Sequence, residues 1–508
     1  MLAKVATFAI DGVEPRQVTV EVDIRPGLPA FTIVGLGDTA VRESRERVRS
    51  AILNSGFEFP QRRITANLAP ASLRKAGPGF DAALALAVLG ASEQVPADPL
   101  SRVAVFGELS LSGALRDAPG VLAVAEGTRR AAIPRLIVPW ERAREAALVD
   151  GLEVAGVDGL REAVDIVTGR RLPAPPSSPA PAADRSAVAP PELSDVRGHE
   201  VPLLALQIAA AGGHNLLMEG PPGTGKTMLA RRLQSILPPL TRPQAIEVTR
   251  IHSVAGLHAD GLITQRPFRA PHHTISSAGL VGGGSPPRPG EASLAHQGVL
   301  FLDELSEFQR IALDALRQPL EDGRVSIVRG QRALIFPTRF MLVAATNPCP
   351  CGYAGVGTLC SCAEADLRRH QRRLSGPLLD RMDLLVTVVK PTEHELRAPP
   401  VTDSARARAR VREARQRQER RFRATGVSCN AQLEPGQLRR VVRLEERAHQ
   451  VLARAYDSGA LSARGRHRVL RVARTIADLD ARRDVQADDV LLALSLRQRT
   501  DTDHMRAA

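Results

Sequence analysis

The sequence is poor in aromatic residues, which make up 3% of its 508 positions and include one Trp and two Tyr. A stacking platform for single-stranded bases needs several aromatic rings, so any nucleic-acid binding is expected to rest mostly on phosphate contacts. No stretch reaches the roughly 18 consecutive apolar residues of a membrane-spanning helix. Residues 1–13 lack a basic segment followed by an apolar run, so we expect no signal peptide, no membrane partner and a cytoplasmic location.

Cysteine is also scarce, and its placement is uneven. Five cysteines in a large chain without a signal sequence favour a reducing compartment and argue against a disulfide framework. Four of them lie close together along the chain: Cys349, Cys351, Cys360 and Cys362. Four thiolates in one short segment can enclose a tetrahedral Zn²⁺ of structural role, although the C-x-C spacing strains that geometry. Free thiols or a redox pair are the alternatives.

Charge is unbalanced toward the positive side. The formal net charge is +13 and the sequence pI is about 10.6. This balance favours a polyanionic partner such as nucleic acid. An arginine-rich solvated surface is the alternative explanation of the same charge.

Four segments differ in composition and pattern. Residues 171–193 are dominated by Pro and Ala, cannot form a packed core and are predicted to be an extended linker. Residues 1–170 mix strand and helix patterns, and we predict an α/β domain. Residues 194–395 alternate strand and helix in the manner that implies a parallel sheet. Residues 396–508 carry almost no strand pattern and are predicted to be helical.

The clearest predicted elements lie in two of these segments, residues 1–170 and residues 194–395. The predicted strands are residues 18–24, 104–109, 136–138, 215–218, 299–303, 340–345 and 384–389. The predicted helices are residues 38–54, 80–89, 226–237 and 308–320.

A glycine-rich motif follows the predicted strand at residues 215–218. It fits G-x-x-x-x-G-K-[ST], the loop that binds nucleotide phosphates, and its residues are Gly220, Pro221, Pro222, Gly223, Thr224, Gly225, Lys226 and Thr227. Backbone N–H groups of such a loop surround phosphate oxygens, and the helix that follows adds its positive end. We expect Lys226 to reach the β- and γ-phosphates of ATP and Thr227 to give its hydroxyl to Mg²⁺.

Two later strands are predicted to bring polar groups to the same site. The strand at residues 299–303 is apolar and ends in an acid pair. We expect Asp303 to hold Mg²⁺ and Glu304 to orient and deprotonate the attacking water. Asn347 follows the next predicted strand and is a candidate to bind that water or the γ-phosphate, with a plain turn residue as the alternative.

Two arginines complete the predicted catalytic set. Arg381 ends the sequence LLDR, and a fixed positive charge at the γ-phosphate can raise the hydrolysis rate by about 10³ to 10⁵. Here the chain resembles the ring-forming AAA+ ATPases, in which this arginine acts on the neighbouring subunit's ATP. The resemblance also implies that Arg464 contacts the nucleotide of its own subunit. Arg468 is the alternative for that role, and a solvated helix arginine is the other explanation of Arg464.

The resemblance becomes more specific in six segments outside these motifs. They are residues 27–36, 58–65, 195–198, 212–215, 266–284 and 288–296. These segments are similar to the YifB/ComM family of magnesium-chelatase-like AAA+ proteins, and the similarity covers essentially the whole chain except the linker. It implies a Lon-protease/S5-like N-terminal α/β domain, an AAA+ parallel-sheet core and an α-helical C-terminal lid. It also implies a homo-hexameric helicase that uses ATP and Mg²⁺ for branch migration of single-stranded or branched DNA in natural transformation or recombination.

The similarity to Lon protease does not extend to its catalytic residues. The position of the Lon serine corresponds to Gly79, and the position of the Lon lysine falls near Leu122. A Ser–Lys dyad needs both a nucleophile and a base, so we expect no peptidase activity and no peptide substrate. Ser72 and Lys75 lie nearby in the sequence, and residues of a surface loop are the simpler interpretation of both.

Three segments are candidates for contact with DNA. Residues 323–336 are predicted to be a β-hairpin, and in related ring motors a hairpin here lines the central pore, where Arg329 and Arg332 would follow phosphates. The segment that contains Arg266 and Arg269 is the second candidate, with a subunit-contact loop as the equal alternative. Nine arginines between positions 406 and 423 fall on one predicted helix, which is either a third DNA contact or a solvated face.

The sequence leaves three functions to be distinguished. The first is a DNA-translocating ring ATPase. The second is a chelatase-type AAA+ motor that remodels a partner protein with the same ATP core. The third is a non-enzymatic DNA-binding scaffold, which the presence of Lys226, Asp303, Glu304 and Arg381 disfavours.

Overall fold

The computed structural model describes residues 2–174, 191–257, 261–285, 287–329, 332–356, 358–373, 376–423 and 426–497. Most of the predicted linker at residues 171–193 lies outside these ranges. Within them, no helix is both long enough and apolar enough to cross a membrane.

Residues 2–174 build a seven-stranded mixed sheet with helices packed on it, which is the predicted α/β arrangement. The strand order is β3-β4-β2-β1-β5-β8-β9, and β6 and β7 form a separate small ladder. The strands are β1 (Leu2–Asp11), β2 (Glu14–Arg25), β3 (Ala30–Val34), β4 (Arg63–Ala69), β5 (Val103–Val105), β6 (Glu108–Leu109), β7 (Leu115–Arg116), β8 (Arg135–Pro139) and β9 (Glu153–Val157). The helices are α1 (Thr39–Asn54), α2 (Asp81–Ala91), α3 (Ala97–Leu100), α4 (Val121–Arg130), α5 (Trp140–Ala146) and α6 (Leu160–Val167).

Buried and partly exposed side chains alternate along β2, and this alternation is the pattern that predicts a strand there. Val18, Val20 and Val22 are all buried in the core, whereas the residues between them are not. The strand predicted at residues 104–109 is wrong in one respect, because it is divided into β5 and β6, which belong to different sheets. The chain leaves the large sheet at Gly107, whose N–H donates to the carbonyl of Gly79 at 3.0 Å.

Residues 191–397 build a second sheet, whose five strands are all parallel in the order β11-β14-β17-β10-β18. The strands of this part are β10 (Leu216–Glu219), β11 (Phe268–Arg269), β12 (Gly282–Gly283), β13 (Arg288–Pro289), β14 (Val299–Leu302), β15 (Arg324–Arg329), β16 (Arg332–Pro337), β17 (Met341–Thr346) and β18 (Leu384–Thr387). Its helices are α7 (Glu200–Gly212), α8 (Lys226–Ile236), α9 (Arg242–Val254), α10 (Ser277–Val281), α11 (Glu291–Leu294), α12 (Arg310–Ala315), α13 (Arg317–Asp322), α14 (Glu364–Arg373), α15 (Gly376–Leu379) and α16 (Glu393–Arg397). Because β17 lies between β10 and β14, the carboxyl ends of these three strands meet at one edge of the sheet.

The helix predicted over residues 308–320 is interrupted in the structure. Phe308 has an extended backbone, and α12 begins only at Arg310. At the junction of α12 and α13 the N–H of Leu316 donates to Leu313 in a 3₁₀-type bond, and Pro319 offers no N–H to continue the α-helical ladder. The predicted hairpin is present as β15 and β16.

Residues 404–497 are helical, as predicted for this part of the chain, and are called the lid below. Its helices are α17 (Ser404–Phe422), α18 (Pro435–Val441), α19 (Glu446–Asp457), α20 (Ala463–Leu479) and α21 (Ala487–Ser495). The lid and the five-stranded sheet share one continuous apolar core, to which Leu206 of α7, Val411 of α17 and Val469 of α20 all contribute. Lid and sheet are therefore packed together as one unit.

The N-terminal part contacts the second part through the β1–β2 turn and α4. Val13 in the turn packs with Ile251 of α9 and Phe336 of β16 in a small buried cluster. Alongside it, Arg250 of α9 forms an ion pair of 3.0 Å with Glu126 of α4. The N-terminal part thus contacts the base of the hairpin directly, because Phe336 belongs to strand β16.

Candidate nucleotide site

The phosphate loop connects β10 to α8, as its sequence motif predicts. Gly223 and Gly225 have φ angles of +75° and +86°, a left-handed conformation that glycine adopts without strain. Gly220 is needed because a Cβ there would lie 2.1 Å from the carbonyl oxygen of Val388. The loop therefore has the backbone shape that directs N–H groups toward a bound anion at the start of a helix.

Lys226 is buried inside this loop. Its Nζ donates to the carbonyl oxygens of Gly220 at 2.6 Å and Pro221 at 2.7 Å, and to Oδ1 of Asn347 at 3.1 Å. Thr224 closes the loop by donating from Oγ1 to the Pro221 carbonyl at 2.9 Å. Desolvation lowers the pKa of Lys226 below its ordinary value. A phosphate oxygen is a stronger acceptor for an ammonium group than a carbonyl oxygen. The Lys226 ammonium group is therefore expected to exchange these carbonyl contacts for phosphate oxygens when a nucleotide binds.

Thr227 and Asp303 meet across the site. Oγ1 of Thr227 donates to Oδ2 of Asp303 at 2.6 Å, although 76 positions separate the two residues in the sequence. Asp303 comes directly after β14, and Thr227 lies in the first turn of α8. A hydroxyl and a carboxylate at this spacing are oxygen donors of the kind that Mg²⁺ prefers, so these two residues fit the predicted ion.

Glu304 has a backbone conformation that is rare for a residue with a side chain. Its φ and ψ are both 51°, and its N–H donates to Oδ1 of Asp303 at 3.0 Å. Residues held in the left-handed region cost on the order of 1 kcal/mol or more and are concentrated at functional sites. The Glu304 side chain is 60% exposed, so its carboxylate is accessible to water.

His273 is a neighbour of Glu304 that the sequence analysis did not single out. Its Nδ1 lies 3.7 Å from Oε2 of Glu304. Its ring lies 4.1 Å from that of His272 and meets the ring of Phe308 edge-on at 6.4 Å. The only sequence signal for this contact was the pair of consecutive histidines within residues 266–284.

Asn347 is fixed at both its side chain and its main chain. Besides the contact with Lys226, its carbonyl oxygen accepts a hydrogen bond of 2.9 Å from Nε2 of His370, which is buried. The strand order explains the position, because β17 ends between the ends of β10 and β14. The structure thus brings together Lys226, Thr227, Asp303 and Asn347, as the sequence motifs predicted.

Arg381 lies at the opposite edge of the sheet from the phosphate loop. It precedes β18, whose first residue is in register with the first residue of β10, whereas the phosphate loop follows β10. The two edges are separated by four residues of strand, which is about 13 Å. The Arg381 guanidinium pairs with Glu321 of α13 in the same chain. Arg381 is therefore not positioned to reach the nucleotide of its own subunit.

The two arginines considered for the second contact to the nucleotide lie on α20. Arg464 is exposed in its first turn. Arg468, the alternative, is directed to Asp383, with 3.8 Å between its Nε and Oδ1. Asp383 lies directly before β18, at the edge of the sheet away from the phosphate loop. Arg468 therefore has a structural contact there, and the role of Arg464 stays a prediction.

A buried polar cluster around Asp383 joins the lid to the sheet. His214 lies 3.4 Å from Asp383 through Nδ1 and 2.7 Å from Oγ1 of Thr475 in α20 through Nε2. Asn215 accepts from the N–H of Leu342 in β17 at 2.8 Å. Burial acts to raise the pKa of Asp383, but the His214 hydrogen bond and nearby arginines outweigh it and lower that pKa. Residues 212–215, which carried part of the family resemblance, thus have a structural role.

Arg266 and Arg269 have partners within the chain. Arg266 donates to the carbonyl oxygens of Pro238 at 2.7 Å and Gln297 at 2.5 Å. Arg269 makes two hydrogen bonds to the carboxylate of Glu291, at 2.6 Å and 2.8 Å. Because both arginines are bonded to groups within the chain, the hairpin is the better candidate for contact with DNA.

The hairpin places Arg329 and Arg332 opposite each other at its end. They are the last pair in the ladder that begins with Arg324 and Pro337. The two turn residues between them, Gly330 and Gln331, lie outside the described residues.

The arginines of α17 divide into two sets. Five of them donate to carbonyl oxygens or pair with carboxylates inside the chain: Arg408, Arg410, Arg415, Arg417 and Arg421. The other four are exposed: Arg406, Arg412, Arg420 and Arg423. The run of arginines is thus partly a structural feature of the lid, which neither of the two predicted interpretations included.

Gly79, which the resemblance aligns with the Lon serine, has no room for a side chain. A Cβ on Gly79 would lie 2.5 Å from the ring of Phe106. Leu122, near which the resemblance places the Lon lysine, is fully buried. The interpretation of Lys75 as a surface-loop residue is wrong, because its side chain is buried and donates to the carbonyl oxygen of Pro70.

The fold and the site together define a class of protein. A parallel sheet with the phosphate-loop strand beside β17, an acid pair after β14 and a helical lid is the arrangement of an AAA+ ATPase. Three regions match profiles of magnesium chelatase. Residues 192–396 match magnesium chelatase, subunit ChlI, residues 20–142 match subunit ChlI of Mg-chelatase, and residues 401–497 match magnesium chelatase, subunit ChlI C-terminal.

Relatives similar over nearly their full length place the chain more closely. It is 44% identical over 505 residues to an uncharacterised protein of Mycobacterium tuberculosis, covering 98% of this chain and 99% of the relative. It is 43% identical over 482 residues to YifB of Escherichia coli, covering 94% of each. It is 41% identical over 502 residues to the competence protein ComM of Haemophilus influenzae, covering 98% of this chain and 97% of ComM. The chain belongs to the YifB/ComM family of magnesium-chelatase-like AAA+ ATPases.

Proposed function

We propose that this protein is an ATP-driven hexameric DNA motor that promotes branch migration in natural transformation or recombination. The observation that carries the ATPase part is the single site in which Lys226 meets Asn347 and Thr227 meets Asp303. The DNA part is supported by the net charge of +13, by the hairpin of β15 and β16, and by the similarity to a competence protein.

The residues of the site divide the work of ATP hydrolysis. Lys226 and the loop N–H groups bind the β- and γ-phosphates. Thr227 and Asp303 would hold Mg²⁺, which would neutralise charge that develops on the phosphate oxygens. Glu304 accepts a proton from the attacking water, and Asn347 orients that water from a position fixed by Lys226 and His370.

The position of Arg381 supports a ring of subunits. A positive charge near the γ-phosphate accelerates cleavage, yet Arg381 lies about 13 Å along the sheet from its own phosphate loop. A neighbouring subunit that presents its phosphate loop to this edge would receive the guanidinium at its γ-phosphate. Glu321 holds Arg381 until that contact forms.

The hairpin is the proposed DNA contact within the ring. Its paired ends carry Arg329 and Arg332, whose charges suit phosphate oxygens and read no base sequence. Its base packs against the N-terminal part through Phe336 and Val13. We propose that ATP turnover moves this hairpin and, with it, the bound strand.

A chelatase-type motor that remodels a partner protein is the second candidate. The three matches to magnesium chelatase favour it, because they cover most of the described chain. Such a motor does not need DNA for turnover, whereas the proposed DNA motor does. A non-enzymatic DNA scaffold is the third candidate, and it requires no ATP turnover at all.

Unwinding of a synthetic branched DNA junction tests the proposal. The purified protein is assayed with Mg²⁺ and either ATP or a non-hydrolysable analogue, and ATP turnover is measured with and without the junction. The expected result is strand separation with ATP but not with the analogue, together with ATP turnover that increases when the junction is added. Lys226→Ala is the inactive variant, and Lys390→Ala, an exposed lysine after β18, is the matched control.

Each outcome separates the three candidates. ATP turnover that does not respond to DNA supports the chelatase-type motor. The scaffold is supported if assembled rings supplied with Mg²⁺ bind DNA but hydrolyse no ATP. Equal unwinding by Lys226→Ala and Lys390→Ala would contradict the assignment of the phosphate loop.

A further inference from the structure

Four cysteine side chains converge on one point close to the nucleotide site. Their Sγ atoms all lie within 4.8 Å of one another. The separations include 3.3 Å for Cys349–Cys351, 3.9 Å for Cys349–Cys360 and 3.7 Å for Cys351–Cys360. Four sulfur atoms around a tetrahedral Zn²⁺, with Zn–S distances of about 2.3 Å, are about 3.8 Å apart. The cluster therefore has the dimensions of a zinc–thiolate centre.

These separations disfavour disulfide pairing. A disulfide brings two sulfur atoms to about 2.05 Å, and all four cysteines are free thiols. The chain has to fold back on itself to bring the second C-x-C pair to the first. A single ion bound by all four thiolates would supply free energy for that convergence, because metal binding and local folding are coupled.

The loop backbone is arranged to support sulfur anions. The N–H of Ala354 is directed at Sγ of Cys349 at 3.2 Å, and the N–H of Cys351 at Sγ of Cys362 at 3.4 Å. Gly352, with a φ of +89°, makes the turn between these donors. Such hydrogen bonds to the ligand atoms are the outer contacts that orient metal ligands.

The same loop contacts the nucleotide site at two places. Gly352 packs on the phosphate loop, where a Cβ would lie 2.7 Å from Cδ of Pro222. Helix α14 follows the loop and brings the buried side chain of His370 to the carbonyl oxygen of Asn347. Asn347 in turn accepts from Lys226. The cysteine loop is thus connected through His370 and Asn347 to Lys226, the residue proposed to bind the γ-phosphate.

We propose that Cys349, Cys351, Cys360 and Cys362 bind one structural Zn²⁺ that fixes α14 and the loop against the nucleotide site. The ion takes no part in ATP cleavage. Its loss frees the loop and leaves Asn347 poorly oriented, which lowers turnover while nucleotide binding by residues 220–227 remains. This second, kinetic part rests on the proposed ATPase function, whereas the metal site itself does not.

Metal analysis of the full-length chain tests the site. Protein purified without chelator is treated with a chelating resin, and zinc is measured by mass spectrometry against protein concentration. About one zinc ion per chain is expected. Exchange with Co²⁺ is expected to give the visible absorption of a tetrahedral thiolate complex. A chain that carries no zinc and shows no such Co²⁺ spectrum overturns the proposal, whatever its ATPase activity.

Cysteine variants locate the ion. Cys351→Ser/Cys362→Ser removes one ligand from each pair and is expected to lose the zinc. Cys429→Ser, at a buried cysteine within the lid, is the matched control and is expected to retain it. Cys362→His keeps a nitrogen ligand and is expected to retain most of the zinc, which covers the case in which the double variant misfolds. Equal zinc in the double variant and in the control overturns the assignment.

The kinetic part has its own measurement. In the zinc-free double variant, the maximal rate of ATP turnover is expected to fall by about 10-fold or more, while the affinity for a fluorescent ATP analogue changes by less than about 3-fold. Circular dichroism checks that the helices persist. Unchanged turnover in a zinc-free, folded variant would reject the coupling to Asn347. Absence of turnover in the wild-type chain would instead contradict the proposed function and leave the zinc measurement standing.

Discussion

Glu304 and His273 form a pair whose geometry predicts a role for the histidine. Glu304 is exposed and held in a strained backbone conformation, and His273 is the side chain that lies 3.7 Å from its carboxylate. His273→Ala is expected to lower the maximal rate of ATP turnover by about 10-fold, because the carboxylate loses a neighbour that limits its rotation. Affinity for ATP is expected to stay within about 2-fold, since Lys226 and the loop are unchanged.

His272→Ala is the control for this prediction. His272 stacks on His273, but its Nδ1 is bonded to Thr274 and not to the acid pair. Steady-state kinetics of both variants give the comparison. Similar losses in the two variants would mean that the histidine pair only stabilises its segment, and no loss in either would remove His273 from the site.

Gly79 offers a prediction about stability in the N-terminal part. Gly79→Ser would restore the residue type of the Lon serine position, but its Cβ would lie 2.5 Å from the Phe106 ring. The variant is expected to lose about 1 to 3 kcal/mol of stability through overpacking and to gain no peptidase activity. Denaturant unfolding followed through Trp140, the only tryptophan of the chain, measures the change.

Gly436→Ser is the matched substitution for that measurement. Gly436 has open space where a Cβ would be added, and it lies in the lid. Little change is expected there. Wild-type stability of Gly79→Ser would show that the Phe106 ring moves aside easily, and the geometric argument against a serine at this position would fail.

At the scale of elements, the sequence predicted what local patterns determine. The strands around the nucleotide site were found within two residues of their predicted ends, because each is a short apolar run before a turn or polar motif. The division of residues 104–109 between two sheets depends on a hydrogen bond from Gly107 to Gly79, which no local pattern contains. Pro319 is the one local signal of the break between α12 and α13, because its missing N–H opposes the continuous helix that the apolar periodicity predicts.

Contacts between elements were predictable only where a motif fixes both partners. The phosphate loop and the acid pair implied that Lys226 and Thr227 meet Asp303 and Asn347. The approach of His273 to Glu304 and of His370 to Asn347 had no such motif. His273 lies in a turn and His370 on the polar helix α14, and their approach to the site follows from tertiary packing.

The hairpin leads to a prediction about DNA-dependent activity. Arg329→Ala/Arg332→Ala removes two positive charges at the end of the β15–β16 ladder. DNA affinity at fixed salt is expected to fall by about 10-fold or more, and the part of ATP turnover that depends on DNA is expected to fall with it. Fluorescence anisotropy with labelled single-stranded DNA and turnover assays with and without DNA give the two measurements.

The opposite end of the same hairpin supplies the control. Arg324→Ala removes an exposed charge from the base of β15, next to the contact with the N-terminal part. A smaller effect is expected there than from the double variant. Equal effects would indicate a general response to net charge, and the hairpin end would lose its special role.

For the whole molecule, the position of Arg381 predicts cooperation between subunits. Arg381→Ala is expected to lower turnover by about 10³-fold while ATP binding persists. Lys226→Ala is expected to lose turnover because phosphate binding is impaired. Mixed rings of the two variants contain interfaces that combine an intact Lys226 with an intact Arg381. Partial recovery of turnover on mixing is therefore expected.

Two measurements support the interpretation of the mixing experiment. Light scattering or analytical ultracentrifugation checks that each variant still assembles and that subunits exchange. Glu321→Ala, which removes the partner of Arg381 within its own chain, is expected to leave turnover within about 3-fold of wild type. Failure of the mixed rings to recover any turnover, with assembly and exchange intact, would contradict a shared site.

The organisation of the whole chain was only partly accessible from the sequence. Composition separated the linker from its neighbours, yet no pattern showed that the lid and the sheet share one core through α7, α17 and α20. The packing of Val13 against Phe336 likewise joins segments more than 300 positions apart. Contacts at such separations depend on shape complementarity, which a single sequence does not encode in a local pattern.

The net charge leads to a prediction about salt. Each phosphate contact made by an arginine releases a bound counterion from DNA, so the logarithm of affinity should fall linearly with the logarithm of salt concentration. A set of about 6 to 10 contacts lowers affinity by about 10³ to 10⁵ between roughly 50 and 200 mM salt. ATP-analogue binding, measured at the same concentrations, reports whether the fold and the nucleotide site survive. The scarcity of aromatic residues leaves little base stacking to sustain binding at high salt. A DNA affinity that does not change with salt, while the nucleotide site remains intact, would therefore mean that the positive charge of this chain is not used to bind DNA.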